Sequence, residues 1–498
     1  MWNGGCDEPE QMGVIDTVKH RTNLGQADQS ADPLSSVSRV NISRSHVRSV
    51  SHSVLYAASV FFILQSMGGL GMIDRFIYGE WAGKGGDKIT QTLNLLSIFG
   101  SLFLFWSGTR KVRIARFNRV LPLAAASLLL ISVLWSVDPR VTLTQGTAYF
   151  FLVLGAIGLV EALDNDELID LVALICGLSA VASVVQFLVF PEPFDDFRGI
   201  FSQKNVLGLV MAGGVLTALH AWRAGIRGGR RFRNICIIAL CTIVAFMSRS
   251  TTSIITIFVF FGLDILGRLY LRGGPARIIS ICLAIGLVPI VIFFVMNADV
   301  IFDLLAKDRT LTGRTLFWPY VIDNISEKPI LGWGYLAFWS ALNPIALQIA
   351  EELGQKHGLM FRIANAHNGM LEFLLEIGFV GTSFFIFLWL RNFVLAVKCM
   401  NGPGRQFGLS SVLFLISILV IGVSEQVLLS AQDLWTSLFF VMGFICEKEL
   451  WIARVAWRPG WPVGGHPKRK IGLDLRGARP MLARRRGRAF HFRKSSNL

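Results

Sequence analysis

Apolar runs of membrane length recur along almost the whole chain. Eight of them come close to the roughly 20 residues that an α-helix needs to cross the hydrocarbon of a bilayer, and four others are shorter or carry a charge. With 53% hydrophobic and only 16% charged residues in 498 positions, the composition is not that of a water-soluble domain. We therefore expect an all-α polytopic membrane protein with about twelve transmembrane helices. The eight runs are 53–73, 89–109, 120–137, 141–160, 171–191, 205–222, 278–298 and 406–424, and the four others are 234–248, 250–267, 368–397 and 433–446.

Lys and Arg residues cluster in the loops after the second and the sixth apolar run, at 110–119 and 223–233. Cytoplasmic loops carry an excess of these residues, so the pattern places both loops, and with them the polar segment 1–52, on the cytoplasmic side. The end of the chain is also basic, because 451–498 holds 13 Lys and Arg residues against one Asp. We attribute this charge to attraction to anionic lipid headgroups rather than to nucleic acid, since no recognition fold accompanies it.

Both termini lie on one side of the membrane only if the number of spans is even. We therefore interpret Ser248-Arg249-Ser250 as a tight outer turn between two short helices. The longest outer stretch is 299–367, in which apolar positions at 317–325 predict a helix in the membrane interface. Pro329 to Tyr335 ends this helix, and we expect its Trp and Tyr at headgroup depth. The resulting division is a cytoplasmic tail (1–52), spans one to nine (53–298), an outer loop with the interfacial helix (299–367), spans ten to twelve (368–446) and a basic cytoplasmic tail (447–498).

Ionisable groups gather where the apolar segments meet the predicted outer face. His367 and Asn368 open the tenth span, and an ionisable residue at a membrane boundary is a functional-site hypothesis by default. Four cations are expected at the same boundary, where the positive-inside rule disfavours them. Each alone is more simply interpreted as a snorkelling loop residue, but their concentration suggests a phosphate or pyrophosphate ligand, since the guanidinium fork of Arg grips phosphate oxygens. The four are Arg198, Lys204, Arg249 and Arg314.

No metal-binding pattern accompanies these groups. Asp195 and Asp196 are adjacent carboxylates, but a metal site needs further oxygen ligands. The seven Cys residues show no CxxC spacing, so neither a zinc site nor a disulfide framework is indicated. We therefore expect no metal and no cofactor.

Several motifs together resemble a known family. His367-Asn368, nine residues, Gly378, two residues and Gly381-Thr382 closely match the signature of the bacterial O-antigen ligase, Wzy-type polymerase and ExoQ-like superfamily of membrane glycosyltransferases, with Ser383 departing from the usual Val. The resemblance spans about 130–445, and its Gln-Lys-Asn and Gly-Trp-Gly-Tyr segments are more similar to the exopolysaccharide polymerase branch. The supporting segments are Leu134 to Pro139, Phe197 to Gly208, Thr312-Gly313-Arg314 and Pro329 to Trp339.

This resemblance implies a GT-C-like architecture in a bacterial inner membrane, with the outer loop and the active site in the periplasm. It also implies transfer of a glycan from undecaprenyl pyrophosphate to an acceptor sugar hydroxyl, without metal or nucleotide sugar. The expected reaction is polymerisation of lipid-linked repeat units into exopolysaccharide, together with a flippase and a chain-length regulator. The alternative is an O-antigen ligase that transfers the glycan to lipid A core or another acceptor.

The resemblance and the residue chemistry together suggest roles. Preplaced cations would stabilise the charge that develops on the leaving pyrophosphate, with Arg314 and Arg198 ahead of Lys204 and Arg249. His367 is the expected base for the acceptor hydroxyl; alternatively it orients the acceptor while Glu425 moves the proton.

Two further expectations concern the tenth span and the class of protein. Glu372 and Glu376, at i and i+4, are interpreted as a buried polar pair facing neighbouring helices, and Gly378 and Gly381 as sites of close helix contact. A twelve-span secondary transporter is the third hypothesis. Such a transporter should show ionisable residues or broken helices in both halves of an internal repeat, and no repeat is visible in this sequence.

Overall fold

The fold is known from a computed structural model. It describes residues 53–68, 72, 87–109, 117–191, 193, 196–224, 229–296, 314–357, 363–402 and 404–456. The predicted tail 1–52, most of the basic tail 447–498 and Asp195 lie outside the described residues. The described part of the chain is helical, and the loops between helices carry the functional candidates. Its helices are α1 (Ser53–Gln65), α2 (Asp87–Thr109), α3 (Phe117–Ile131), α4 (Pro139–Ala162), α5 (Asn165–Val189), α6 (Lys204–Arg223), α7 (Gly229–Met247), α8 (Thr251–Arg272), α9 (Gly274–Met296), α10 (Arg314–Glu327), α11 (Pro344–His357), α12 (Gly369–Met400), α13 (Arg405–Gly422) and α14 (Leu434–Ala456).

Six of the described helices are long and apolar enough to cross a membrane: α4, α5, α6, α8, α12 and α13. Shorter apolar stretches lie in α1, α2, α3 and α9. The protein is therefore a multi-pass membrane protein with an all-helical fold. The expected number of twelve spans stays a prediction.

The expected boundaries hold in some places and fail in others. The turn at 248–250 is confirmed, because α7 ends at Met247 and α8 begins at Thr251. The third apolar run is not one helix up to position 137. Helix α3 stops at Ile131, and a short 3-10 turn at Ser132–Leu134 leads towards α4, whose first turn is capped by the Asp138 side chain. This cap satisfies a backbone N–H that would otherwise have no partner at the helix start.

Ion pairs tie the helix ends together at one end of the bundle. The pairs Arg119–Glu161, Arg223–Asp264 and Arg233–Asp170 join the start or end of one helix to that of another. At the same end, the Lys448 ammonium donates to the backbone oxygens of residues 160 and 163, at 2.6 and 2.9 Å. We call this the basic end, because the predicted cytoplasmic loops lie there.

Helix α12 is broken at Gly378. There φ is +62° and ψ is −169°, a conformation that is essentially restricted to glycine. The segment after α10 fills the break, since Pro329 O accepts from Phe379 N at 2.8 Å and Ile330 O accepts from Val380 N at 3.1 Å. The prediction of a helix–helix contact at Gly378 is therefore wrong. A loop, not a helix, makes the close approach.

The same loop buries its aromatic residues inside the protein. Trp333 N donates to Leu375 O at 3.0 Å, and the Trp333 indole donates to Asn324 O at 2.9 Å. Tyr335 is fully buried, and its hydroxyl donates to Leu429 O. Both side chains are therefore packed inside the fold, and their expected location at headgroup depth stays a prediction.

Helix α10 matches the helix that the apolar positions predict. Phe317, Val321 and Ile325 are buried in a small second core, whereas Ile322 is exposed on the other face. The partners in this core come from α11 and from the loop that follows α10, and include Trp339. The described part of the outer loop thus packs on itself as well as on the helices.

Candidate functional site

The candidate site is built on two loops that are distant in the sequence. His367 lies just before α12, and Glu425 lies just after α13. His367 Nδ1 lies 3.4 Å from Glu425 Oε2. The backbone N–H of His367 donates to Asn365 Oδ1 at 2.9 Å, and the residue has a left-handed φ of +49°. Strained backbone of this kind is held in place by its surroundings and recurs at functional sites.

A third element fixes the carboxylate. Asn205, in the first turn of α6, donates from Nδ2 to Glu425 Oε1 at 2.7 Å. Beside it, the hydroxyls of Thr252 and Ser424 are 2.6 Å apart, which joins the start of α8 to the same loop. Asn368 caps α12 by accepting from Leu371 N at 3.0 Å. Glu425 is therefore oriented through both carboxylate oxygens, and the ends of α6, α8, α12 and α13 meet around it.

Two of the four predicted cations stand in segments that reach this pair. Lys204 is the first residue of α6 and directly precedes Asn205, and Arg249 lies in the turn before α8. Arg198 lies in the loop before α6, with its Nε 3.7 Å from Asp196 Oδ2. Arg314 is the first residue of α10, and its side chain lies outside the described part of the structure. The fold thus brings the segments of Lys204 and Arg249 to His367 and Glu425.

The two buried glutamates of α12 bind loops rather than neighbouring helices. Glu372 Oε2 accepts from Ala366 N at 2.6 Å and from the Trp339 indole at 3.3 Å. Glu376 Oε2 accepts from Ala337 N at 2.8 Å. The bonds of Glu372 anchor the segment that ends at His367. They support the predicted structural role of the two glutamates, but their partners are loops and not the neighbouring helices that the sequence predicts.

Two tyrosines and an aspartate hold the loop that carries Glu425. Tyr149 donates to Leu428 O at 2.8 Å, and Tyr335 donates to the next carbonyl oxygen. Burial raises the pKa of Tyr335 well above its usual value, so its hydroxyl remains a donor. Asp433 closes the loop by accepting from Thr436 N at 3.2 Å at the start of α14, and burial raises its pKa to about 6.

An apolar groove of about 320 Å³ runs between α12 and α13. Asn368 and Val423 line it at the end next to the site, and Asn368 Nδ2 donates to Val423 O at 3.2 Å. Further along, its walls are formed by aromatic and aliphatic side chains such as Phe385 and Trp389. The groove therefore offers an apolar chain a surface that begins beside His367.

The His–Glu arrangement suits general base chemistry. When the Glu425 carboxylate accepts a hydrogen bond from a protonated Nδ1 of His367, the other ring nitrogen, Nε2, is left to accept a proton. A carboxylate in this position also stabilises the imidazolium that forms on proton transfer. Among the described residues, no group of three His, Cys, Asp or Glu side chains could hold a metal ion.

Comparison with known proteins finds relatives connected with polysaccharides. Residues 236–386 match the sequence profile described as O-antigen ligase. The exopolysaccharide production protein ExoQ of Rhizobium meliloti is 26% identical to this chain over 323 residues, covering 59% of this chain and 70% of that protein. This chain is similar to the O-antigen ligase and ExoQ-like family over part of its length.

A second relative comes from Rickettsia conorii and is named as a candidate polysaccharide ligase. It is 26% identical over 226 residues, which cover 43% of this chain and 52% of that relative. The chain thus spans only about half the length of this second protein. These similarities connect the chain with an exopolysaccharide production protein and a candidate polysaccharide ligase, and they do not distinguish a polymerase from a ligase.

The family match contains some of the predicted site residues and not others. Arg249, Arg314 and His367 lie within 236–386, whereas Arg198, Lys204 and Glu425 lie outside it. Sequence reasoning missed the role of Asn205 as the anchor of Glu425. A signal was present, because Asn205 completes the Gln-Lys-Asn segment that resembles the polymerase branch.

Proposed function

We propose that this protein polymerises undecaprenyl-pyrophosphate-linked oligosaccharide repeat units into exopolysaccharide at the periplasmic face of the bacterial inner membrane. The observation that carries the proposal is the contact between His367 and Glu425 at the helix ends that also hold Lys204 and Arg249. In this proposal His367 supplies the base, and Lys204 and Arg249 supply positive charge, at the same membrane boundary. The named activity of ExoQ in exopolysaccharide production favours the same substrate class.

In the proposed step, the acceptor sugar hydroxyl attacks the anomeric carbon of the lipid-linked glycan. His367 takes the hydroxyl proton, the new glycosidic bond forms, and the bond from the anomeric carbon to the pyrophosphate oxygen breaks. The pyrophosphate leaves with the electron pair and remains attached to its lipid. Cations that already face the leaving group lower the barrier without reorganisation, and Arg314, Arg198, Lys204 and Arg249 are assigned this role. No metal is needed to balance the step.

The groove between α12 and α13 supports a lipid-linked donor. Its apolar walls begin beside Asn368, so an isoprenoid chain lying there would present its pyrophosphate near His367. The opposite, basic end carries the Arg-rich helix ends, and the positive-inside rule puts that end in the cytoplasm. The proposed orientation therefore has both termini cytoplasmic and the site periplasmic.

A ligase is the second candidate function. The family profile is described as O-antigen ligase, and the Rickettsia relative bears a ligase name. A ligase would use the same base and cations but would transfer the glycan to lipid A core or to another acceptor. The flippase and chain-length regulator proposed as partners belong to the polymerase alternative.

The decisive experiment is reconstitution of the full chain in nanodiscs with synthetic undecaprenyl-pyrophosphate oligosaccharide and EDTA. A ladder of lengthening lipid-linked glycans with released lipid pyrophosphate is the expected result. Transfer that requires added lipid A core would replace the polymerase by the ligase. Absence of transfer in both assays with the native repeat unit would reject both, and activity only with an added divalent cation would reject the metal-independent step.

A further inference from the structure

A second, more polar pocket lies next to the candidate site. It has a volume of about 450 Å³, within the range of roughly 300–1,000 Å³ that is typical of small-molecule pockets. It is lined by the start of α4, with the N-cap Asp138 and with Gln145, and by the loop after α10, with Trp339 and Ser340. None of these residues is assigned a role in the transfer step.

The pocket carries the groups that recognise sugars. A carboxylate, a carboxamide and a hydroxyl supply donors and acceptors for hydroxyl groups. The Trp339 indole, most of which packs against Phe317 and Phe338, adds a small apolar edge. Asp138 uses Oδ1 to accept from Val141 N at 3.3 Å. The carboxamide of Gln145, which is half-buried, makes no hydrogen bond within the described part of the chain. No Lys or Arg lines the pocket in the described structure, so its chemistry suits neutral hydroxyl groups better than phosphate.

Its position fits a glycan that extends from the reacting bond. Ala364 lines the pocket and lies three residues before His367, so the two Cα atoms are at most about 10 Å apart, by chain length alone. Glu372 connects the pocket to the segment before His367, since its carboxylate accepts from the Trp339 indole, which lines the pocket, and from Ala366 N. The Glu372 carboxylate therefore holds both a residue of the pocket and the residue next to His367 in place.

We infer that the pocket formed by Asp138, Gln145, Trp339 and Ser340 is a glycan subsite that binds sugar residues next to the reacting one. This inference rests on the proposed glycan transfer. The lipid chain and pyrophosphate lie in the groove and near the cations, and the subsite selects the repeat unit by its hydroxyl pattern. The sugar residues are thus recognised in this pocket, away from the bond between the anomeric carbon and the pyrophosphate oxygen that breaks.

The test uses the purified full chain and a lipid-free oligosaccharide released by mild acid from the host's own exopolysaccharide. Binding is measured by calorimetry in a His367→Ala background, so that it does not depend on catalysis. Gln145→Leu and Asp138→Asn should each weaken binding about tenfold; Asn keeps the helix cap. Gln348→Leu, at an exposed position on α11, is the matched control and should bind normally.

Kinetics in the otherwise native protein separate the outcomes. The two pocket variants should raise KM for the glycan substrate about tenfold with little change in kcat. Transfer with unchanged binding and KM in both variants would overturn the subsite and leave the proposed function standing. If the protein shows no transfer activity but binds the oligosaccharide in a way that depends on Gln145, the proposed polymerase function is rejected and the subsite is retained. Gel filtration of each variant confirms folding.

Discussion

His367 Nδ1 lies 3.4 Å from Glu425 Oε2 although 58 positions separate the two residues in the sequence. Asn205 completes the arrangement by donating to the other carboxylate oxygen. Because Glu425 is held from both sides, it can fix the orientation of the imidazole and stabilise its protonated form. We therefore expect the pair to act as one unit, in which neither residue works without the other.

Replacing His367 by Ala should lower the rate of glycan transfer by about 10²–10⁴-fold, the usual contribution of general base catalysis. Glu425→Gln should have an effect of similar size, and the double variant should be little worse than either single one. Rates of lipid pyrophosphate release in nanodiscs measure this. The control is His357→Ala, at the exposed end of α11, which should retain native activity. Additive effects of the two substitutions would contradict a shared unit.

Asn205→Ala should release Glu425 from one of its contacts. We expect kcat to fall about tenfold, because a lost hydrogen bond to a charged group costs roughly 1.5–3 kcal/mol. The pH dependence of kcat should shift as well, which a purely structural role would not produce. Gln203→Ala, at an exposed position two residues earlier, serves as the matched control. An unchanged pH profile would remove Asn205 from the positioning of the base.

Lys204→Ala and Arg249→Ala should raise KM for the lipid-pyrophosphate donor about tenfold or more, since charge-assisted bonds to phosphate are the strong ones. Arg249→Lys should restore only part of the loss, because Lys lacks the planar fork. Donor titrations at saturating acceptor measure this. Lys356→Ala removes an exposed cation on α11 and should leave KM unchanged. Equal effects of all three alanine variants would indicate a general charge effect instead.

Gly378→Ala should strongly reduce the yield of folded protein. A Cβ at this position would lie 2.4 Å from Ile330 O, in a backbone conformation with positive φ, so the cost should exceed about 1 kcal/mol. Gly262→Ala in α8 adds a Cβ with no atom within 4 Å and should be tolerated. Fluorescence-detected gel filtration and thermal unfolding in detergent compare the two. Equal melting temperatures would refute the broken helix.

Asp433 predicts a defined pH dependence of stability. Burial raises its pKa from the ordinary 3.8 to about 6, so between these values the native state holds the proton that the unfolded chain has released. The contribution of Asp433 to stability therefore falls as pH rises from about 4 to about 6 and is constant above that. Asp433→Asn should remove this part of the dependence of Tm on pH. Asp323→Asn, an exposed carboxylate on α10, is the control and should keep the native profile.

Much of the fold follows from the sequence alone. Long apolar runs lead to membrane helices because unpaired backbone groups are too costly in hydrocarbon, and Ser248-Arg249-Ser250 marks a turn because charge and small polar residues interrupt two such runs. The motif spacing around the His-Asn start of α12 indicated the same family that the comparisons find. The local sequence pattern is sufficient to predict a helix or a turn wherever the structure depends mainly on whether the residues face lipid or water.

Other features depend on which distant segments meet. Nothing in the sequence near Gly378 reveals that Pro329 and Ile330 fill a break in α12, or that the Tyr335 hydroxyl donates to Leu429 O inside the protein. The anchoring of Glu425 by Asn205 and the pocket at Gln145 likewise require helix ends to converge. The sequence by itself determined a helical membrane protein, a resemblance to one family and a set of candidate site residues. Only the tertiary structure decided which of those residues touch, because hydrogen bonds act over about 3 Å and that proximity is set by packing rather than by distance along the chain.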